Sequence, residues 1–514
     1  MRVLCALVLL GLALVQVELA SVASKAKVGD HPQQLLKHSR YMRQRRPPPP
    51  VRRTKAFDDV SINYFDDQLL DHFDATNNRT WSQRYFANPS LYEEDGPCFI
   101  FIEGESEAQS GWISEDGSYM YKMAELFKAN MYILEHRFFG QSRPTTDIST
   151  ENLKWLSSDQ ALADLAYFIE YLIEKGEVQK DQKIAVFGGS YPGNLAAWAR
   201  IKYPHLIHAA VASSAPVHAE VDFPEYMEVV TRSIKTISGD ECANNLKKAF
   251  QRLQKLVLTD DGIAQIQKQF YMCQPLDTSN KLDMDMFYEV LANPFATATQ
   301  YNRDNSYDQY SLKSQCSYMA GDLSEDEAVA ALAEVFVASM GSIWSCVNWD
   351  YATNSQSLNS VKYSDGSRQW VYMTCTMFGY FQTADGDTVF PKGYFDVPFF
   401  QQECKDAFGE SFTTELAQKG VKRTNTVFGD WTPDVTNVIF VNGEIDPWHS
   451  LSVLKDVNEY SPAVLISSTS HCYDMYPNAD GDSEELLAAR KKIKEFLLSA
   501  LYTDANGSSP TLSP

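Results

Sequence analysis

Residues 183–193 read Lys183-Ile184-Ala185-Val186-Phe187-Gly188-Gly189-Ser190-Tyr191-Pro192-Gly193, an apolar run that ends in a glycine-flanked serine. The run reads as a buried strand, and Asn194 to Lys202 behind it reads as a helix. A serine on a sharp strand-to-helix turn is lifted above the sheet, and small neighbours let the backbone bend that tightly. The usual spacing is G-x-S-x-G; Gly188 fits it, and Pro192 replaces the second glycine. Proline suits the first turn of a helix, where its missing N–H has no partner to lose. A plain strand-turn-helix with a capping serine has the same local pattern, so the partners of an activated hydroxyl must be sought elsewhere in the chain.

Outward from this turn, Cys98 to Glu103, Met131 to Glu135 and His208 to Ser213 are further short apolar runs. Between them, Ser158 to Lys175 carries Leu162, Leu165, Ala166, Ile169, Leu172 and Ile173 at helical spacing, behind the cap candidates Ser157, Ser158 and Asp159. This alternation predicts an α/β domain with a largely parallel sheet. From 219 to 430 the strand signal gives way to helical segments, among them Ala243 to Leu258, Glu325 to Ser339 and Gln369 to Gln382. Strands return at Val438 to Asn442 and Ala463 to Ser467, before a final helix from Ser483 to Leu501. The expected organisation is an α/β domain in two parts, 57–218 and 431–502, around a helical insertion at 219–430, with a loose tail at 503–514.

A serine hydroxyl becomes a useful nucleophile when a histidine takes its proton and a carboxylate orients that histidine. The loop after Val438–Asn442 carries Glu444, Asp446 and Trp448; the loop after Ala463–Ser467 carries His471 and Asp474. His471 is the candidate base, since His449 shares a loop with Asp446 and the other histidines lie in the N-terminal tail or near earlier strands. Asp446 is weighed above Glu444 and Asp474 because Pro447 fixes the backbone behind it. For the oxyanion, the Tyr191 N–H is the first candidate donor, and a second is sought in Gly104-Glu105-Ser106-Glu107, with Glu105 chosen by position. Glu105 and Glu107 also read as solvated loop acids or as contacts for a substrate amine.

The 514 residues hold 45 Lys+Arg against 67 Asp+Glu, a formal charge of −22 that excludes binding to nucleic acid by bulk attraction. Residues 1–55 carry +9 and the remainder −31, an acidic body suited to an acidic lumen. Arg2 followed by the uncharged run Val3 to Val17 and small residues near Ala20 predicts a signal peptide over 1–23. Residues 24–56, basic and rich in proline, predict a linker or propeptide. No later segment is long and apolar enough to cross a membrane, so neither membrane nor nucleic-acid partners are expected. Without Cys5, eight cysteines remain, an even number that favours disulfides in an oxidising compartment. Sequence leaves 105 pairings open. Asn78 and Asn506 head glycosylation sequons, and no spacing typical of a metal site is present.

Four stretches taken together carry a family resemblance: Gly188 to Gly193, Asn442-Gly443 with Asp446-Pro447-Trp448, Ser470-His471-Cys472 with Asp474, and Glu135-His136-Arg137-Phe138-Phe139-Gly140. They resemble the serine peptidase family of lysosomal Pro-X carboxypeptidase, dipeptidyl peptidase 2 and thymus-specific serine protease, and lie closest to the thymus-specific branch. The resemblance covers residues 57–502. It implies an α/β-hydrolase fold with a large helical, disulfide-linked cap, and a Ser190-Asp446-His471 triad acting on peptides without metal or organic cofactor. It also implies the pairs Cys242–Cys316, Cys273–Cys346 and Cys375–Cys404, leaving Cys98 and Cys472 unassigned. A helix resembling Trp370 to Tyr380 lies near the substrate pocket in the family. Here Met377 stands where a glutamate is expected, and Trp370, Met377 and Trp448 are candidate pocket residues. The expected function is a secreted or lysosomal exopeptidase cutting short peptides next to proline. An esterase or lipase, or a non-catalytic peptide-binding homologue, are the rival readings, and the sequence leaves open whether the chain forms a homodimer.

Overall fold

The computed structural model describes residues 34–35, 59–302, 311–341, 343 and 345–502. The signal segment 1–23, the tail 503–514 with Asn506, and all of 24–56 except Gln34–Leu35 lie outside the described residues. Two strands open the main sheet, β1 (Ser61–Leu69) and β2 (Thr80–Asn88), followed by β3 (Cys98–Ile102), β4 (Asn130–Leu134), β5 (Ile184–Gly189) and β6 (Ala209–Ser213). In the insertion, β7 (Glu220–Asp222) and β8 (Gly379–Phe381) form a separate parallel pair, and the chain returns to the sheet as β9 (Val438–Gly443) and β10 (Ala463–Ile466). The eight main strands run β10-β9-β6-β5-β3-β4-β2-β1, parallel from β10 to β4 and antiparallel at β2 and β1.

Strands β3, β4, β5, β6 and β9 are buried at every position, as expected where helices cover both faces of a sheet. Successive side chains alternate between the two cores. Phe99, Phe101, Ala185, Phe187, Ile439 and Val441 meet α1 (Tyr119–Phe127) and the last helix. Ile100, Val186, Ala210 and Phe440 face the other way, toward α2 (Ser158–Glu174) and α3 (Tyr191–Lys202). Helix α2 starts as expected, with Ser157 accepting from the Gln160 N–H.

The insertion contributes α4 (Glu225–Ser238), α5 (Asp240–Leu256), α6 (Lys281–Gln300), α7 (Leu312–Tyr318), α8 (Glu325–Met340), α9 (Ser367–Met373), α10 (Val397–Phe408) and α11 (Thr414–Phe428); α12 (Glu484–Tyr502) follows β10. Cys242–Cys316, Cys273–Cys346 and Cys375–Cys404 are disulfides, the pairs the resemblance implied. Cys98 and Cys472 are buried and free.

Two expectations change. The sheet has an antiparallel edge, β1 and β2, ahead of Cys98 to Glu103, the earliest strand read from the sequence. Its pairing is interrupted by a bulge between Phe65 and Gln68, and β1 is largely exposed, which dilutes its apolar alternation. The helix expected over Gln369–Gln382 stops at Met373, widens into a π turn at Thr374–Phe378 and becomes β8. Gly379 makes the change: its φ is +67°, and a Cβ there would lie 2.2 Å from the Glu220 carbonyl of the paired strand.

Burial pushes the Cys98 thiol well above its ordinary pKa, so it has little thiolate with which to react. Non-reducing peptide mapping should return the three insertion pairs. Iodoacetamide should alkylate Cys98 and Cys472 after unfolding and leave both intact in the native protein.

Candidate active site

Ser190 follows β5 and stands at the N-cap of α3 with φ +65° and ψ −137°, a conformation that costs a non-glycine residue about 1 to 3 kcal/mol. The surrounding backbone maintains it. The Ser190 N–H donates to the Ser213 carbonyl at 2.9 Å, and the Ser190 carbonyl accepts from the Gly193 and Asn194 N–H groups. A Cβ on Gly188 would lie 2.0 Å from the Pro192 carbonyl, and one on Gly193 2.7 Å from the Ser213 carbonyl. The glycines are therefore required by close backbone approach, and Pro192 sits in the first helical turn as the sequence suggested.

Asp446 and His471 come together on the loops after β9 and β10. His471 Nδ1 lies 2.8 Å from Asp446 Oδ2, with the two side chains 1% and 0% exposed. Asp446 Oδ1 accepts from the Trp448 N–H, which fixes the carboxylate from its own loop. His471 Nε2 is buried with no hydrogen-bond partner, so the nitrogen that a base would use is left open. Burial opposes charge on this imidazole, and the adjacent Asp446 carboxylate overrides it, holding the histidine above its ordinary pKa.

The rival acids are engaged elsewhere. Glu444 accepts from Ser467 Oγ and the Ser468 N–H, and Asp474 accepts from Ser213 Oγ at 2.5 Å. His449 Nδ1 approaches the Asp446 carbonyl rather than its carboxylate. The Glu135-His136-Arg137 stretch braces the site from below. Glu135 accepts from Arg84, Ser142 and the Ala108 and Gln141 N–H groups, His136 Nε2 lies 3.0 Å from the Tyr191 hydroxyl, and Arg137 donates to Asp164.

Tyr191 is the first residue of α3, so its N–H has no intrahelical acceptor and lies at the positive end of that helix. The loop carrying Glu105 packs on the elbow: a Cβ on Gly104 would lie 2.5 Å from the Pro192 ring. Glu105 itself is buried. Trp370 packs on the Tyr191 ring at 5.9 Å, and Trp448 on Phe223, Tyr226 and Tyr380 at 5.3 to 5.6 Å. Met377 is buried in the π turn, where its carbonyl accepts from Thr424 of α11. Asn78 is exposed in the loop between β1 and β2. Sequence reasoning missed Gln300, Tyr301 and Ser213, which touch the candidate loops through main-chain bonds, a ring contact and the Ser213 hydroxyl, none of which leaves a motif.

The parallel sheet, the serine elbow after its central strand and the insertion before the last two strands define an α/β-hydrolase fold. Residues 68–493 match the family described as Serine carboxypeptidase S28. A Caenorhabditis elegans protein with a provisional serine-protease name is 35% identical over 452 residues, covering 86% of this chain and 88% of that one. Thymus-specific serine protease of Mus musculus is 34% identical over 445 residues, covering 84% and 86%. Lysosomal Pro-X carboxypeptidase of Mus musculus is 28% identical over 456 residues, covering 85% and 89%. The chain belongs to the S28 family of serine peptidases.

Asp474 yields a prediction with a defined sign. Burial raises its pKa from 3.8 to about 6, against the pull of the Ser213 hydroxyl and Arg490. The folded state therefore keeps a proton that the unfolded chain releases between those values, and stability falls as pH rises through that window. Asp474→Asn, which retains the acceptor for Ser213, should flatten this dependence. From pH 3.5 to 7, unfolding measurements should show the variant gaining on wild type by about 2 to 3 kcal/mol.

Proposed function

We propose that this chain is a secreted or lysosomal serine exopeptidase that cleaves short peptides next to proline, with Ser190 as nucleophile, His471 as base and Asp446 as the orienting acid. One observation carries the reading: a fully buried Asp446–His471 bond leaves Nε2 open, on the loop next to a strained serine elbow. His471 Nε2 takes the Ser190 Oγ proton as Oγ attacks the scissile carbonyl carbon. The oxyanion is met by the Tyr191 N–H and by an N–H of the Glu105 loop. The imidazolium returns its proton to the leaving amine as the C–N bond breaks, which leaves an acyl ester on Ser190. A water deprotonated by His471 then hydrolyses the ester, releasing the acid and restoring the hydroxyl.

The restriction to peptide ends follows from the insertion, whose residues pack on the elbow through Trp370 and on the acid loop through Tyr226 and Tyr380. Disulfides tie several of its segments together, so access is narrowed by a fixed roof. The proline preference comes from the Pro-X name of the carboxypeptidase relatives; Trp370 and Trp448, buried beside the elbow and the acid loop, supply aromatic surface near the site. The lumenal assignment rests on the apolar N-terminal run and on the lysosomal name of the same relatives; among the described residues no helix is long and apolar enough to cross a membrane.

Ser190→Ala and His471→Ala should each lower kcat at least about a thousandfold with the fold intact, and Asp446→Asn somewhat less. Peptides with proline next to either terminus, free or blocked, should be cut near one end, and a long denatured protein should resist internal cleavage. Ordinary turnover by folded Ser190→Ala protein would end the reading of the site; efficient internal cutting would remove the exopeptidase claim alone.

A further inference from the structure

The histidine loop is held by the insertion as well as by the sheet. The His471 N–H donates to the Gln300 carbonyl at 3.0 Å, and Ser470 Oγ donates to the Asn302 carbonyl at 2.9 Å. Gln300 is the last residue of α6, a 20-residue helix, so its carbonyl has no intrahelical donor. The histidine loop supplies that donor. In return, the His471 backbone is fixed at the negative end of the helix, a position that favours a neighbouring positive charge.

The side chains extend the same clamp. The Tyr226 hydroxyl donates to Gln300 Oε1 at 2.7 Å, and Gln300 Nε2 donates to the Tyr301 hydroxyl at 3.0 Å. Tyr301 lies edge-on to the His471 ring, with centroids 6.1 Å apart at 77°, and Tyr226 meets Trp448 on the acid loop at 5.6 Å. Tyr226, Gln300 and Tyr301 are 0%, 1% and 6% exposed. Asn302 accepts from the Leu312 N–H at the start of α7, the helix that Cys242–Cys316 ties to α5. Gln300 thus ties the insertion to both loops that carry the Asp446–His471 pair: its main-chain carbonyl bonds the histidine loop, and its carboxamide reaches the acid loop through Tyr226.

We propose that Gln300, acting with Tyr301, is a positioning residue: it holds the His471 imidazole in register with Asp446 and stabilises the imidazolium that forms when Ser190 gives up its proton. The inference rests on the reading of Ser190 and His471 given above. Among the described residues, the titratable groups around His471 are Asp446 from the acid loop, Cys472 and Asp474 from its own loop, and Tyr301 from the insertion, with Glu105 from the loop after β3, Tyr226 from the insertion and Tyr476 from the segment after β10 beside Tyr301. Loosening Gln300 shifts the tyrosine and the helix terminus while leaving the acids in the sequence. The charged imidazole then loses support, and its pKa falls.

The rate at which a fluorophosphonate inactivates the enzyme tests this without a known substrate, because Ser190 must pass its proton to His471 as the P–O bond forms and fluoride leaves. Measured across pH, Gln300→Leu should react about tenfold or more slowly at the plateau, with its acid limb about half a pH unit or more below that of wild type. Tyr301→Phe, which loses a single hydroxyl, should shift the limb in the same direction by less. An unmoved limb in folded Gln300→Leu protein, whether or not the plateau rate falls, overturns the proposal, since simple loss of packing slows labelling without retuning the base. Should that variant fail to be secreted, an unmoved limb in Tyr301→Phe overturns it equally. Labelling that persists in Ser190→Ala overturns the nucleophile reading as well, whereas an unmoved limb with Ser190 still labelled overturns the positioning role alone.

Discussion

Ser213, which ends β6, and Ser214 directly after it are the constraint on which the site depends. The Ser213 carbonyl accepts from the Ser190 N–H, its hydroxyl donates to Asp474, and the Ser214 hydroxyl accepts from the Cys472 N–H. The Ser214 N–H donates in turn to the Val441 carbonyl of β9. The elbow, the histidine loop and the strand leading to the acid loop are thus all bonded to two adjacent residues at one strand end. Parallel neighbours place the C-terminal ends of β5, β6 and β9 side by side, so three loops distant in sequence can share that anchor. A larger side chain at Ser213 would displace Asp474, to which its hydroxyl donates, while its carbonyl lies against Gly193 of the elbow.

Electrostatics around this frame pull in two directions. Burial comes first in raising Glu220 to about 7, with Glu225, Asp222 and Asp430 adding to it, and burial raises Asp285 to about 6. Such acids favour folding when protonated, so their contribution weakens as pH rises toward neutrality. Burial also lowers His136 and His208 to about 4, and these neutral histidines weaken the fold as pH drops from 6.5 toward that value. The opposing trends place the most favourable range at mildly acidic to neutral pH. This agrees with the charge of −31 outside the first 55 residues, since a chain so acidic repels itself less when some carboxylates are protonated.

Much of this was legible in the sequence for a physical reason. Strands buried on both faces must be continuously apolar, so β3 to β6 and β9 stood out as runs, and each helix between them carried a 3.6-residue pattern. Ser190, Asp446 and His471 were legible as candidates because loops after parallel strands emerge at one edge, and the order of the strands set the order in which such candidates are sought. Edge strand β1 was hidden because a largely exposed, bulged strand mixes polar and apolar residues, and β2 because its buried positions include Gln83, Arg84 and Asn88. The change from helix to strand near Gly379 was hidden because it depends on a partner strand some 160 residues earlier. The contacts of Gln300 and Asn302 with the histidine loop were hidden for a different reason. Main-chain carbonyls accept them, and a carbonyl is the same whatever side chain it accompanies.

The distribution of the cross-links divides the molecule by chemistry rather than by shape. Each of the three disulfides joins two segments of the insertion, while Cys98 in the sheet and Cys472 on the histidine loop stay buried thiols. A reducing surrounding therefore acts on one half first: the insertion loses its cross-links while the sheet, held by apolar packing and strand pairing, keeps its shape. On the proposed reading, in which the insertion roofs the site, transfer from an oxidising lumen to a reducing one would widen the range of polypeptides that reach the elbow before it abolished the elbow itself. Selectivity would then fail before catalytic competence, and the compartment's redox poise would govern how narrowly such an enzyme chooses what enters.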